Sequence, residues 1–416
     1  MKTDSNNKYE LLAPVGNFAM LHAAIESGAD AVYFGLKDFN MRDGAQNFTL
    51  KDLEKIRGIC EKNEKGEKRI KRYLTLNTIV YNNEIKRIEG ILKKIKSKKL
   101  VDAIICWDLS IIELCKKYKI PFHVSTQASV SNINAAEFYK KLGAERIVLA
   151  RELNLKQIKE ISSKLNKIRG PEIECFAHGA MCVSISGRCF TSQFLQCLSA
   201  NRGQCAHPCR RSWTIKDEDG HELRLENSKV MSAKDLCTLP FIDKMKKAGI
   251  KSFKIEGRNR SPEYVSVVVK EYRKALDSKK PLSKAEIVQS LDNLKKVYNR
   301  GFSGGFYIKM PTADDFSFSE HGEQEEKKHF IAKVERFWPK MRAAHLKLSS
   351  GKVRVGDEIY IQSKNLGVKR TRVESIELEH KKVQEAIKGQ DIGIIFEDIT
   401  SLKSGDDVYL ILKKKS

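Results

Sequence analysis

"NFAMLHAAIESGADAVYFGL", residues 17–36, carries one complete structural unit. "NFAMLHAAIESG" reads as an amphipathic helix ending in Gly28, a residue suited to the helix C-cap. "DAVYFGL" is rich in β-branched and aromatic residues and too short for a helix, so it reads as a strand. The pattern recurs through the first 280 residues. The other apolar runs are "YELLAPVG", "RYLTLNTIV", "VDAIICW", "IPFHVST", "AERIVLA", "EIECFAHG" and "IKSFKIEG", which makes eight in all. Helical faces such as "EIKRIEGILKKIKS", "LSIIELCKKY" and "NINAAEFYKKLG" lie between them. Strands alternating with helices predict a parallel sheet with crossover helices. Eight units in this length predict an α/β fold, a closed (β/α)8 TIM-like barrel over residues 1–280, with an open doubly wound sheet as the alternative.

The repeat is interrupted once. After "EIECFAHG" the next strand-like run begins near residue 251, so residues from about 178 to 240 form an elaborated loop after the seventh strand. Loops at that end of a barrel build active sites. Residues 281–328 read as a helix, "SKAEIVQSLDNLKKVYN", and a polar linker, "PTADDFSFSEHGEQEEKK". From about 329 to 416 short strands with Gly-Asp turns predict a small all-β barrel.

The 416 residues are 41% apolar and 31% charged, which describes a globular chain and excludes a disordered one. No apolar run approaches the ~20 residues of a membrane helix, so no membrane partner is expected. "MKTDSNNKYELLAPVG" lacks the apolar core of a signal peptide, and a cytoplasmic location with reduced thiols is expected. That disfavours a disulfide framework. The formal charge of +24 favours polyanions, nucleic acid above all. A Lys-rich composition, visible in "KKIKSKK" and "LKKKS", is the competing explanation.

Of ten cysteines, Cys60, Cys106 and Cys115 sit on apolar faces and Cys175 inside a strand, so all four read as core residues. Cys182, Cys189, Cys197, Cys205, Cys209 and Cys237 fall in the inserted loop. The spacing C-x6-C, fifteen residues, C-x3-C departs from the paired C-x2-C knuckles of zinc ribbons. It suits loop-borne thiolates converging on a larger object such as a [4Fe–4S] cube, while zinc and free thiols stay open. Gly179, Gly187 and Gly203 allow sharp turns beside the ligands. Arg188, Arg202, Arg210 and Arg211 would offset an anionic cluster. His178, four residues before Cys182, is a candidate base for a cysteine nucleophile or a group that orients the ligand loop. Asn77, Gln127, Arg151, Glu152, Glu256 and Arg258 fall at strand ends, where a barrel carries its substrate pocket. Arg260 lies just beyond them, and Glu256 could accept a proton or brace an arginine.

"ECFAHGAMCVSISGRCFTS", Glu174 to Ser192, resembles the signature of the collagenase-like peptidase family, the unknown-type peptidases of family thirty-two. Thr191 stands where that signature usually has an aliphatic residue. "ELLAPVGN", "ADAVYFGL", "STQASVSN", "RIVLARELNL", "SAKDLC", "FKIEGRNRSPEYV" and "NRGFSGG" resemble further family blocks, in family order. Despite the name, members of this kind include oxygen-independent hydroxylases of ubiquinone precursors, ribosomal RNA and tRNA that carry a [4Fe–4S] cluster. One barrel with a C-terminal β-domain is most similar to the tRNA branch. That resemblance implies tRNA as partner, prephenate as a small anionic co-substrate and donor whose two carboxylates could pair with Arg151, Arg258 and Arg260, and 5-hydroxyuridine at the wobble position as product. It also implies Cys182, Cys189, Cys205 and Cys209 as ligands, with Cys237 in reserve for the fourth position. "KVRVGDEIYI", "VESIEL", "VQEAIKGQDIGIIF" and "KSGDDVYLI" resemble the second-domain β-barrel of translation elongation factors. A peptidase, as the family name implies, and a non-catalytic iron–sulfur RNA-binding protein are the alternatives. The chain has no serine-triad context and no H-E-x-x-H motif, which weakens hydrolysis.

Overall fold

The computed structural model describes residues 9–61, 69–223, 231–319 and 322–413. Seven strands follow one another with helices between: β1 (Glu10–Pro14), β2 (Ala31–Gly35), β3 (Lys71–Thr75), β4 (Ala103–Cys106), β5 (Phe122–Val124), β6 (Arg146–Val148) and β7 (Glu172–Gly179). The helices are α1 (Phe18–Glu26), α2 (Asp52–Glu61), α3 (Ile85–Lys98), α4 (Leu109–Lys117), α5 (Ile133–Lys141) and α6 (Leu155–Lys167). Side chains of Asn17, Asp108, Asn132 and Asn154 accept hydrogen bonds from first-turn amides of α1, α4, α5 and α6. Each such cap contributes about 1 kcal/mol.

The insertion then supplies α7 (Thr191–Gln196), the hairpin β8 (Ile215–Lys216) and β9 (Glu222–Leu223), and β10 (Asp235–Cys237), which lies antiparallel to the end of β7. After α8 (Ile242–Lys247), β11 (Ser252–Ile255) pairs in parallel with both β7 and β1 and closes the barrel. All eight predicted strands are present in the predicted order, so the open-sheet alternative is excluded. α9 (Pro262–Asp277) and α10 (Lys284–Lys296) follow, and β12 (Phe302–Ser303) joins the free edge of β10.

Strand residues alternate between two cores. One set packs outward against the helices, with Leu11, Val32, Phe34, Leu74, Ile104 and Phe253 fully buried. Burying each such side chain contributes about 1.5–3 kcal/mol. The other set fills the lumen. Leu12, Tyr33, Tyr73 and Ile105 form an apolar layer. At the N-terminal end of the strands Arg146 bonds Glu10, Glu172 and Glu174, and Glu174 also accepts from Lys254 at 2.8 Å. At the C-terminal end lie Thr75, Glu256 and Arg258, all buried.

The C-terminal unit comprises β13 (Glu326–Trp338), β14 (Ala343–Lys347), β15 (Lys352–Arg354), β16 (Glu358–Ser363), β17 (Gly367–Leu378), β18 (Lys381–Val383), β19 (Glu385–Ile387), β20 (Asp391–Phe396) and β21 (Asp407–Lys413). The antiparallel order β16-β21-β13-β14-β20-β17 closes through β16–β17 around Ile331, Val334, Ile359, Ile394, Phe396 and Val408. Its first strand begins at Glu326, three residues before the boundary read from sequence. The unit docks on the first barrel through Gly367, where a Cβ would lie 2.7 Å from the Ala23 nitrogen of α1. Ion pairs Lys369–Glu26 at 2.9 Å and Lys328–Glu263 at 3.0 Å flank that contact. Among the described residues no helix is long and apolar enough to cross a membrane.

Candidate functional site

The C-terminal mouth of the barrel is strongly cationic. Arg42, from the loop after β2, reaches Glu256 after β11 and donates to Oε1 from Nη2 at 3.0 Å and from Nε at 3.2 Å. Burial by itself would raise the Glu256 carboxyl, but Arg42, Arg260 and Arg151 outweigh it and hold the group below its ordinary value. Glu256 is therefore an ionised brace for Arg42 at neutral pH, the second of the two roles open to it from sequence. Arg151 donates from Nη1 to the Ala180 carbonyl at 3.0 Å and lies over the Phe176 ring. Arg260 stacks on Tyr298 at 3.9 Å and faces Asp235 at 3.8 Å.

Arg258 differs from these. It is 4% exposed, its Nη1 donates to Thr75 Oγ1 at 3.1 Å, and no carboxylate among the described residues pairs with it. Burial pulls its guanidinium down to about 10, with Tyr33 and Glu256 opposing and Arg42 adding to the effect, so it stays charged at neutral pH. Space for it is made by Gly35, where a Cβ would lie 2.5 Å from Nη1. A buried guanidinium with one neutral partner is costly unless an anion completes it.

The cysteine loop sits over this mouth. Gly179 and Gly203 turn it with φ of 108° and 95°, and a Cβ at either would strike a backbone oxygen, that of Glu256 at 2.5 Å or of Asn40 at 2.3 Å. Cys182 lies within electrostatic reach of Arg42 and Arg151. Burial pushes the Cys209 thiol up, Arg210 pulls it down, and Cys182, Cys205 and Cys189 push it further up, so the four thiols share one neighbourhood. Partial burial would raise Cys189, but hydrogen bonds from Ser184 and Thr191 bring it below its ordinary value. Among the described residues no three of these sulfurs lie within 4.8 Å of one another.

Several sequence candidates have other duties. Cys237 is buried in β10, where Tyr272 contacts its sulfur at 3.8 Å and burial pushes the thiol up to about 11. Cys197 is exposed at the end of α7. His178 is buried among the rings of Tyr264, Tyr272 and Phe302, with Nδ1 3.3 Å from Tyr272 Oη. Burial, then Arg260, holds its imidazole down to about 3, and no loop cysteine hydrogen-bonds to it among the described residues. Asn77 and Gln127 bond each other at 3.3 Å and anchor neighbouring loops. Glu152 is half-buried beside Arg151. Arg202 pairs with Glu84 at 2.6 Å, while Arg188 and Arg210 donate to backbone carbonyls, so these arginines pin the loop more than they face sulfur.

Sequence reading missed Arg42, Arg300, Asp235 and His207. Asp235 is 1% exposed and neither oxygen has a hydrogen-bond partner; burial raises its carboxyl although Arg260, Arg300 and Arg210 pull it down. His207, inside "CAHPC", lies within reach of Arg42, Arg210, Arg300 and Glu256. The loop after β2 was a usable signal for Arg42, since every such loop of a barrel borders the mouth. Six guanidiniums, of Arg42, Arg151, Arg210, Arg258, Arg260 and Arg300, thus face two carboxylates.

Residues 342–406 match Elongation factor Tu domain 2, and residues 16–317 match Peptidase family U32. A "Collagenase" of Porphyromonas gingivalis (strain ATCC BAA-308 / W83) is 38% identical over 420 residues, 98% of this chain and 99% of that protein. The "tRNA hydroxylation protein P1" of Bacillus subtilis (strain 168) is 36% identical over 326 residues, 76% of this chain and 75% of its own. A 23S rRNA 5-hydroxycytidine synthase of Escherichia coli (strain K12) is 37% identical over 276 residues, 66% of this chain and 40% of its own. The family match takes in the barrel from α1 onward, its mouth and the whole cysteine loop, and the chain belongs to peptidase family U32.

Proposed function

We propose that this protein is an RNA hydroxylase that forms 5-hydroxyuridine at the wobble position of tRNA without dioxygen, using a prephenate-like dicarboxylate as donor and oxidant: the donor's C–OH bond and the uridine C5–H bond break, the hydroxyl passes to C5, and the donor takes the hydrogen. Arg258 carries the reading: a buried, carboxylate-free guanidinium beneath a loop of four gathered thiols calls for an anionic ligand beside a thiolate-held group. The names of two relatives, a tRNA hydroxylation protein and a 5-hydroxycytidine synthase acting on RNA, support hydroxylation of a pyrimidine. The charge of +24 suits a polyanionic substrate.

Each residue has a task in this reading. Cys182, Cys189, Cys205 and Cys209 hold a [4Fe–4S] cluster, which supplies redox or Lewis-acid chemistry when bound. Arg258 takes one donor carboxylate and gives up only the Thr75 hydroxyl to do so. Arg42 and Arg151 receive the second carboxylate, with Arg42 aimed by Glu256. Arg260, which faces Asp235 at 3.8 Å, adds to the field that holds the donor. A loop uridine, free to leave its stack, enters from the solvent side.

A peptidase is the second reading, favoured by the relative named "Collagenase". A thiol nucleophile needs a base in hydrogen-bond reach, and His178 sits in an aromatic cage, bonded to no loop cysteine among the described residues. Mass spectrometry of tRNA nucleosides separates the two, in cells from which any parallel hydroxylation route is also deleted. Loss of wobble 5-hydroxyuridine and its derivatives, restored by the wild-type copy and not by Cys189→Ala, is the expected result. Unchanged hydroxylation, with gelatin cleavage by the purified protein that depends on Cys182, would establish the peptidase instead.

A further inference from the structure

The cysteine loop holds two phenyl rings in water. Phe190 is 66% exposed and Phe194 is 85% exposed. The Phe194 amide donates to the Phe190 carbonyl at 3.1 Å, so the two rings share one face of α7. The opposite face points inward: Ser192 is buried, accepts from the Ala206 amide at 3.2 Å and contacts Cys205 Sγ at 4.0 Å. Ile185 and Leu195, 68% and 48% exposed, add to the apolar surface. The loop is firmly tied. Arg202 pairs with Glu84, the Asp43 amide donates to the Gly203 carbonyl at 3.1 Å, and Arg210 bonds the carbonyls of Met181 and Ala233. A loop so fixed presents its rings in place.

We infer that Phe190 and Phe194 form a stacking platform for unpaired nucleobases, which deepens the RNA reading above and rests on it. Charge identifies the occupant. Exposed Arg211 follows the Pro208–Arg210 turn, which packs against α7, and the chain as a whole carries +24. Exposed aromatics set among cations are the combination that binds single-stranded RNA: rings take the π-faces of bases and guanidiniums take the phosphates. Bases inside a duplex offer no free face, so the platform selects loops. On the far side of α7 lie Cys205 and the thiols around Cys209, so a base stacked here is separated from the thiols by one helix.

The test compares binding of an anticodon stem–loop RNA and a fully paired duplex of equal length by full-length protein, as wild type, as the double variant Phe190→Ala/Phe194→Ala, and as Phe194→Trp. The double variant should lose about five- to hundredfold in affinity for the stem–loop and little for the duplex. The slope of log affinity against log salt should not change, because no phosphate contact is removed. Phe194→Trp should keep its affinity, with emission quenched on binding. An unaltered thermal transition in the double variant shows that the fold is intact. Wild type that binds the stem–loop no better than the double variant overturns the platform alone, as does equal loss on both RNAs. A wild-type dimer made monomeric by the double variant assigns the rings to self-association and overturns the platform too. Wild type that binds neither RNA overturns the RNA reading and the platform with it.

Discussion

Arg42 and Glu256, 214 residues apart in the chain, meet across the barrel mouth with two guanidinium nitrogens on a single carboxylate oxygen. No described residue hydrogen-bonds to the other oxygen, Oε2, so the carboxylate aims Arg42 without being enclosed by it.

Glu256→Gln keeps the shape and removes the charge. Its stability should fall by about 1–3 kcal/mol at pH 7, the cost of a hydrogen bond to a charged group. The folded carboxyl titrates below its unfolded value, so its contribution is present above the unfolded pKa and disappears as pH falls through the folded one. Urea unfolding at pH 7 and pH 4 should therefore show a difference between wild type and variant that shrinks at the lower pH. A difference independent of pH would show that the charge on Glu256 contributes nothing.

Arg258→Met and Arg146→Met should behave oppositely. Arg258 has no carboxylate to abandon, so an apolar side chain of similar length should leave the melting temperature unchanged or raised while donor-dependent hydroxylation is lost. Arg146→Met removes the partner shared by Glu10, Glu172 and Glu174, leaves the buried Glu10 and Glu174 with only Lys71 and Lys254 as their cations, and should cost about 3–5 kcal/mol. Gly35→Ala, whose Cβ would fall 2.5 Å from Arg258 Nη1, should lower donor affinity with a smaller loss of stability. Thermal melts with a donor titration decide these cases, and a destabilised Arg258→Met would mark that residue as structural.

Alanine at Cys182, Cys189, Cys205 or Cys209 should each abolish the visible absorbance and about four irons per chain of anaerobically purified protein. Cys197→Ala should keep both. Cys237→Ala should also keep both, and should cost about 1 kcal/mol through the small cavity beside Tyr272. Iron lost with Cys237 and retained without Cys209 would place the fourth ligand in β10. Stoichiometric zinc without colour would rule out an iron–sulfur group.

His178 predicts an acid sensitivity. Its imidazole titrates near 3 in the fold and near 6.5 when unfolded, so between those values the unfolded chain binds one more proton. The stability it contributes is complete above about pH 6.5 and is lost toward pH 3, at up to ~1.4 kcal/mol per pH unit. His178→Phe, an aromatic replacement in an aromatic cage, should remove one proton from that slope. Midpoints of urea unfolding from pH 7 to pH 4 measure it, and parallel slopes in the two proteins would refute the assignment.

The sequence by itself determined every feature written in short range. Alternation of strand and helix, the place of the insertion and the switch to an all-β pattern near residue 329 are patterns within about ten residues of chain, and the side chains that produce them need no distant partner. The spacing of Cys182, Cys189, Cys205 and Cys209 was legible for the same reason. Tertiary structure decided what closure brings together. Arg146 in β6, Glu10 in β1, Glu174 in β7 and Lys254 in β11 each read as a polar residue in an otherwise apolar run, and only the closed barrel makes them one buried ionic ladder. Arg42 lay in an unremarked loop until the mouth set it against Glu256. Cys237 stood in the sequence as the reserve to Cys209, and its register opposite His178 in β10 is what buries it. Burial of a charge or a thiol requires a partner or leaves it inert, but the identity of that partner depends on strands far apart in the chain, and local pattern holds no record of it.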